Sequence, residues 1–215
     1  MPKILTPDDV KYFRQRLCDV ALKYFAEGGL EKISLRSLAA EAGCSRMTPY
    51  RYFKNKEDIL AAVRESEYRR MADLLEQTAE SEGDSSKRLV SLAAAYLRFA
   101  MDRPDAYRVM YEIKQQDEQR YPELVKQIKR TQAPMLSTVK EAVKAGSVAG
   151  DPVNIACVLW AGLHGLISLY LSDKLYMGRD IEELAEVMVR SLGRAIATRP
   201  SQQPAARRVK GVKSA

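Results

Sequence analysis

Apolar residues recur at alternating steps of three and four along every long segment of this 215-residue chain. In the first segment the stripe consists of Val10, Phe13, Leu17, Val20 and Tyr24. Such steps place side chains on one face of an α-helix, whereas a half-buried strand needs strict alternation, which no segment shows. The pattern therefore predicts an all-α fold.

Capping residues and glycines predict where the helices begin and end. Thr6 followed by Pro7 opens the first helix, Gly28-Gly29 closes it, and Asn55 and Asp180 open later ones. We expect a helix-turn-helix domain over residues 1–56, a helical body over 57–197 and a disordered basic tail over 198–215. Within the body, Pro134 is expected to kink or split a long helix near Ala133.

Positive charge is concentrated at the two ends of the chain. Residues 1–60 hold 11 Lys and Arg against 8 Asp and Glu, residues 61–197 hold 19 against 20, and residues 198–215 hold 5 against none. This distribution favours a polyanion-binding head, a neutral body and a basic tail. A solvated tail on an ordinary domain would give the same charges, so charge alone does not decide.

The residues that enzymes and metal sites require are scarce. The three cysteines, Cys18, Cys44 and Cys157, form no CxxC pair, and His164 is the only histidine. The sequence has no glycine-rich phosphate loop and no Ser/His/Asp set. We therefore expect no catalytic activity, no metal and no cofactor.

One segment, Asn154–Ser172, approaches the length of a membrane span. It contains Asn154, His164 and Ser168 and lacks a basic flank on one side, which favours a core or interface helix. The first ten residues lack the apolar stretch of a signal peptide. These features predict a cytoplasmic protein without a membrane partner.

The segment Ser34–Ile59 has the spacing of two short helices joined by a tight turn at Ala42–Ser45. Between Gly43 and Lys56 there are four basic residues and no acidic ones, with aromatic residues interleaved. The basic residues are Arg46, Arg51, Lys54 and Lys56, and the aromatic ones are Tyr50, Tyr52 and Phe53. A helix of this kind fits the major groove of DNA, and its N-terminus favours phosphate.

This segment resembles the TetR family of transcriptional regulators. The resemblance covers about residues 7–56 and rests on Ser34, Arg36, Leu38-Ala39, Ala42-Gly43-Cys44-Ser45 and Tyr50-Arg51-Tyr52-Phe53-Lys54-Asn55-Lys56-Glu57. It implies a homodimer that binds a palindromic double-stranded DNA operator, a repressor released by a small lipophilic inducer. Two other functions stay open: a small-molecule-binding protein with little specific DNA readout, and a nonspecific DNA-binding protein.

The resemblance also implies roles for individual residues of the head. Tyr50 and Lys56 are expected to contact phosphates, with Ser34, Arg36 and Lys54 as supporting contacts. Arg46, Met47 and Thr48 are candidates for contacts to base edges. Ser45 is the remaining expected DNA-binding residue. Alternatively, Tyr50 packs on the first helix and the lysines are only solvated. Phe53, Leu38 and Ala39 are expected in the core.

Pro49 departs from the family pattern, in which small residues precede the tyrosine. Proline disfavours helix at the residue before it. Either Pro49 is tolerated in the first turn of the second short helix, or that helix begins with Thr48 as its cap and Pro49 as its first residue, which shortens it.

A second resemblance, to a TetR subgroup named for a tryptophan, a histidine and a glycine, lies at Trp160-Ala161-Gly162-Leu163-His164-Gly165 and at Arg103–Met110. Trp160 and His164 lie four apart on one helix face, where they form either one wall of a ligand pocket or a histidine near the dimer seam. The opposing wall is expected to comprise Tyr96, Tyr107, Met110, Tyr111 and Met135.

The last two predicted helices carry enough apolar surface to form the dimer interface. Its expected members are Leu159, Leu163, Leu166, Ile167 and Tyr170 on one helix and Leu184, Val187, Met188 and Leu192 on the other.

Overall fold

Regular structure is helical throughout the part of the chain that the computed structural model describes, which is residues 6–114, 117–176 and 178–197. The all-α prediction is confirmed. The tail predicted at 198–215 lies outside the described residues. The eight α-helices of the described part are α1 (Pro7–Gly28), α2 (Leu35–Glu41), α3 (Lys56–Glu80), α4 (Ser85–Asp102), α5 (Pro104–Tyr111), α6 (Pro122–Lys144), α7 (Pro152–Leu171) and α8 (Ile181–Ala197).

The helices begin where the capping residues predicted. The Thr6 hydroxyl accepts from the Asp9 N–H at 3.1 Å, the Asn55 amide oxygen accepts from the Asp58 N–H at 2.9 Å, and an Asp180 carboxylate oxygen accepts from the Glu183 N–H at 3.0 Å. Each contact satisfies a backbone donor that the first helical turn leaves unpaired.

Helix α6 runs without interruption through Pro134, so the predicted split is wrong. Proline removes the N–H that would bond to the Arg130 carbonyl, but the loss of one bond does not end a helix that packs well. Here α6 lies along α3 in the most extensive helix pair of the described residues. Packing of the apolar face therefore outweighs the missing bond.

Helix α3 is the axis on which the other elements assemble. Helices α1, α4, α5 and α6 all pack against it, and its first turns adjoin the N-terminal helices. Ile59 and Met71 on α3 are fully buried, as are Leu17 on α1 and Leu163 on α7. The head and the body therefore share one apolar core rather than two separate ones.

Two charged residues of α3 are buried and fix α5 at both of its ends. Glu67, 2% exposed, accepts hydrogen bonds of 3.0 Å from Nε and Nη2 of Arg103, the residue before α5. Arg64, 4% exposed, donates to the Met110 carbonyl in the last turn of α5 at 3.2 and 3.3 Å and pairs with Glu118. A buried charge is tolerated only when it is paired, so α5 is held where these partners lie.

We expect the substitution Arg103→Ala to lower the free energy of unfolding by about 2–3 kcal/mol, because it leaves the Glu67 carboxylate buried beside Arg70 alone. Burial already raises the Glu67 pKa above its usual value. The unpaired carboxylate will therefore bind a proton more readily in the folded state, and the loss of stability shrinks as the pH falls from 7 to 5.

Urea denaturation at the two pH values measures both effects. The control is Arg108→Ala, which removes an exposed pair with Glu112 on the same helix and should cost no more than about 0.5 kcal/mol. Equal losses in the two variants at pH 7 would show that the Glu67 pair does not hold α5.

Candidate functional site

The turn after α2 presents an exposed basic surface, which we call the head surface. Arg46, Met47, Tyr50 and Lys54 are exposed there, with Met47 69% and Tyr50 53% accessible, and Arg36 is exposed on the adjacent α2. Thr48 and Lys56 are half-buried at its edge. The structure thus brings the expected DNA contacts of the turn onto one exposed segment.

The second short helix is a 3-10 turn over Pro49–Arg51 with Thr48 as its N-cap, so the shorter of the two alternatives at Pro49 is correct. An α-helix starting at Ser45 would need an N–H from Pro49, which proline lacks. The Ser45 carbonyl accepts from the Thr48 N–H instead, at 2.9 Å, which is the tighter i→i+3 pattern. Arg46 and Met47 therefore lie in the turn before the helix rather than on its face.

Buried side chains hold this turn against α1 and α3. Pro49 is buried and Phe53 is 2% exposed, with the Arg14 guanidinium carbon 5.8 Å from the centre of the Phe53 ring. Tyr52 packs on Phe13 at a ring-centre distance of 5.2 Å. Phe53, like Leu38 and Ala39, is a core residue, and the head surface rests on a packed support rather than on a free loop.

Within the described ranges the cations of the head surface have no ion-pair partner, whereas three cations behind it do. Among the described residues no carboxylate lies within 4.0 Å of the charged nitrogens of Arg36, Arg46, Arg51, Lys54 or Lys56. On the opposite faces Arg14 pairs with Glu65, Lys23 with Glu41 and Arg70 with Asp19. The unpaired cations leave the head surface free to bind an anion such as phosphate.

Three expected DNA contacts also have structural roles. The Ser34 hydroxyl accepts from the Ser37 N–H at 3.0 Å and so caps α2. The Ser45 and Thr48 hydroxyls share a hydrogen bond of 2.9 Å that closes the turn.

A cavity of about 250 Å³ lies in the body, between α3, α4, α5, α6 and α7. Its mouth is at α7, where Val153, Cys157 and Trp160 are exposed. Its wall consists of Tyr68, Leu75, Leu92, Tyr96, Tyr111, Ile128, Thr131, Gln132, Met135, Leu136, Val153, Ala156, Cys157, Trp160 and Leu163. A mostly apolar enclosure with a few polar groups is the usual form of a small-molecule site.

Four of the seven expected ligand contacts line this cavity: Tyr96, Tyr111, Met135 and Trp160. The other three do not. Met110 is 1% exposed in the core, and Tyr107 and His164 lie behind the wall, where they contact the lining residues. Trp160 and His164 stack at 5.6 Å between ring centres, with Trp160 both lining the cavity and 41% exposed on the outer face of α7.

A chain of hydrogen bonds backs the cavity wall. The Tyr96 and Tyr107 hydroxyls are 3.1 Å apart, and the Tyr107 hydroxyl lies 2.6 Å from Nδ1 of His164. Burial raises the pKa of Tyr96 and Tyr111 well above the usual value and lowers the pKa of His164 below its usual value. All of these groups are therefore uncharged near neutral pH.

Apart from Met135, sequence reasoning missed the contribution of α6, and it also missed Tyr68. Spacing of three and four places Ile128, Thr131, Gln132 and Met135 on one face of α6, so periodicity could have found them. Tyr68 donates its hydroxyl to the Met110 carbonyl at 3.2 Å, beside Arg64. No local pattern in the sequence distinguishes that tyrosine from an ordinary core aromatic.

Helix α7 buries one face and exposes the other. Leu159, Leu163 and Ile167 are at most 4% exposed within the chain, so they are not available to a partner, and their assignment to the dimer interface is wrong. Of the other expected members, Tyr170 and Val187 are exposed, Leu166, Leu184 and Met188 are half-buried, and the side chain of Leu192 lies outside the described part. Helix α7 also exposes Val153, Val158, Trp160 and Leu169. Helix α7 is also long and apolar enough to cross a membrane by length and composition.

Two family models match the chain. The model for bacterial regulatory proteins of the tetR family matches residues 17–63, and the model for the tetracyclin repressor-like C-terminal domain matches residues 89–192. The first covers the head surface and its support. The second covers most of α4 and all of α5, α6 and α7, which enclose the cavity together with α3.

Among curated proteins, an HTH-type transcriptional regulator of Staphylococcus aureus strain USA300 is 45% identical over 51 residues. The match covers 24% of this chain and 28% of the length of that regulator.

Similar solved structures match nearly the whole fold. A protein of unknown function from Rhodococcus sp. RHA1 is 28% identical, with a TM-score of 0.74 over 86% of this chain and 95% of its own. The transcriptional regulator FadR from Bacillus subtilis, crystallised with stearoyl-CoA, is 18% identical, with a TM-score of 0.70 over 83% and 96%. Together with the two family matches, these similarities show that the chain belongs to the TetR family of bacterial regulatory proteins.

Proposed function

We propose that the protein is a ligand-responsive transcriptional regulator, a repressor that binds a palindromic DNA operator as a homodimer and is released by a small lipophilic molecule. The observation that carries the proposal is that one helix, α3, begins at the unpaired cations of the head surface and lines an apolar cavity with its later turns. A site for DNA and a site for a small molecule therefore lie on the same rigid element.

In this proposal some residues of the head surface contact phosphates and others contact bases. Tyr50, Lys54 and Lys56 contact phosphates with Arg36, which supplies affinity and register. Arg46, Met47 and Thr48, at the start of the 3-10 turn, are placed to reach base edges in the major groove.

The exposed apolar face of α7 and α8 is the proposed homodimer interface. Val158, Leu169, Tyr170 and Val187 are each at least 40% exposed in the single chain. Contiguous apolar surface of this kind marks an interaction site. A twofold dimer presents two head surfaces to half-sites about 34 Å apart, one turn of DNA.

Release requires that the ligand bind one arrangement of the chain better than the other. Tyr68 and Tyr111 line the cavity. The carbonyl of Met110, the residue before Tyr111, accepts hydrogen bonds from Tyr68 and Arg64 of α3. A ligand that displaces Tyr111 therefore shifts α5 and α3 together. Coupling of about 1–3 kcal/mol between the two sites is typical of such proteins.

The proposal assigns the protein no catalytic role and a cytoplasmic location. Across the described ranges no group of three His, Cys, Asp or Glu residues is arranged to hold a metal ion. We propose DNA, a second copy of the chain and a small molecule as its partners, and no resident cofactor.

The direct test is selection from a pool of random DNA duplexes by the full-length protein. We expect enrichment of a near-palindromic site with half-sites one helical turn apart. Binding of all duplexes with equal affinity would favour the nonspecific DNA-binding alternative. Failure to retain any duplex would favour a small-molecule-binding protein without DNA readout.

The substitution Lys56→Ala should weaken binding to selected and random duplexes alike, because a phosphate contact carries no sequence information. The slope of log affinity against log salt concentration should fall by about 0.9, the value for one phosphate contact. Fluorescence anisotropy over a salt series measures it. Lys126→Ala, on the exposed surface of α6, is the control and should leave the slope unchanged.

The substitutions Arg46→Ala and Thr48→Ala should instead relax sequence preference, with a loss of about 1–3 kcal/mol on the selected site and little loss on random DNA. Competition between the two duplexes measures the difference. If both variants lose selected and random binding equally, neither side chain contacts a base.

A further inference from the structure

The cavity wall holds no charged group. Of its fifteen lining residues, all within the described ranges, those with polar groups are three tyrosines, Thr131, Gln132, Cys157 and Trp160. The nearest buried cation, Arg64, does not line the cavity: its guanidinium lies over the Tyr68 ring at 5.9 Å and pairs with Glu118. A carboxylate or phosphate in this cavity would be desolvated without a counter-charge, which is costly.

The volume of the cavity limits the size of its occupant. An engineered apolar cavity of about 150 Å³ holds one benzene molecule. By proportion, the cavity of about 250 Å³ accommodates roughly ten non-hydrogen atoms. A compact one- or two-ring molecule fits this space, whereas a long-chain acyl group does not.

The hydrogen-bond chain behind the wall supplies one polar anchor. A neutral imidazole carries a single proton, so the chain from Tyr96 through Tyr107 to His164 runs in one of two directions. With the proton on Nε2, Nδ1 accepts from Tyr107 and Tyr107 accepts from Tyr96, which leaves the Tyr96 oxygen as an acceptor. With the proton on Nδ1 the order reverses and Tyr96 donates. Tyr96 can therefore meet either a donor or an acceptor.

We propose that the effector of this protein is a compact, uncharged molecule of one or two rings, with one hydroxyl or carbonyl group that hydrogen-bonds to Tyr96. The inference rests on the proposed function, in which the cavity is the effector site. It also separates this chain from the similar FadR of Bacillus subtilis, which was crystallised with stearoyl-CoA. The two folds agree, but the wall of this cavity offers no charge for an anionic ligand.

Isothermal titration calorimetry on the full-length protein at pH 7, without DNA, tests the proposal. The matched probes are 4-tert-butylphenol, which is uncharged, and 4-tert-butylbenzoate, which is an anion of similar shape. We expect the phenol to bind at one site per chain and the benzoate to bind at least about ten-fold more weakly. Equal or tighter binding of the benzoate or of stearoyl-CoA, or no binding of the phenol, would overturn the proposal.

The polar anchor is tested with Tyr96→Phe. We expect a loss of roughly three- to ten-fold in affinity for the phenol and no change for tert-butylbenzene, which lacks the hydroxyl. Thr131→Val is the control, because it removes a hydroxyl from the same wall that donates to the Gln127 carbonyl instead of to Tyr96, and it should leave phenol binding unchanged. A loss of both probes in Tyr96→Phe, or a loss of phenol binding only in Thr131→Val, would contradict the role of Tyr96.

A second readout needs no variant. The chain has one histidine, so its imidazole nitrogen resonances are unambiguous. Phenol binding should shift them through Tyr96 and Tyr107, whereas tert-butylbenzene should shift them less; equal shifts would contradict the anchor. These measurements are made without DNA. Failure of the protein to recognise an operator would overturn the proposed function, and that result is obtained separately from the ligand-binding results.

Discussion

The pairing of buried charge on α3 determines where the neighbouring helices can lie. Arg64 and Glu67 are almost inaccessible to solvent, and each contacts one end of α5: Arg64 donates to the Met110 carbonyl in its last turn, and Glu67 accepts from Arg103, the residue before its start. Glu65, between them, is 8% exposed and pairs with Arg14 of α1 and with Arg69. An unpaired charge in these positions would cost several kcal/mol, so α1 and α5 are positioned by electrostatics as well as by apolar packing.

Because α3 serves both halves of the molecule, the head and the cavity are not independent units. The helix supplies Lys56 to the head surface and Tyr68 and Leu75 to the cavity wall. Arg64 lies between these regions, and its Nη1 is the one buried side-chain nitrogen or oxygen in the described ranges without a hydrogen-bond partner. A small displacement of α5 therefore changes the surroundings of the Arg64 guanidinium, which is buried on α3 and not hydrated by solvent.

Local chemistry made much of this fold predictable. Helix starts follow from capping side chains and the helical class follows from apolar spacing, both of which are encoded within a few residues. The head surface follows from a run of cations and aromatics at Arg46–Lys56. Pro49 was compatible with two starting points for the second short helix. The later start is found, because Pro49 has no N–H and the Ser45 carbonyl accepts from the Thr48 N–H instead.

Features that depend on contacts between distant segments were not predictable. Whether Leu159, Leu163 and Ile167 face a partner chain or the core of their own depends on where α4, α6 and α8 pack, which periodicity does not reveal. The same holds for the cavity. Tyr107 and Tyr111 share a helix, yet only Tyr111 lines the wall, because the crossing with α7 places His164 against Tyr107.

Helix α3 connects the cavity to the head surface, so occupancy of one site should change the affinity of the other, and reciprocal titration measures this coupling. The affinity of full-length protein for its selected DNA site is measured with and without saturating 4-tert-butylphenol, and the affinity for the phenol is measured with and without that DNA. We expect each ligand to lower the affinity of the protein for the other by the same factor, about 5- to 150-fold. Unchanged DNA affinity with the cavity saturated would contradict this coupling.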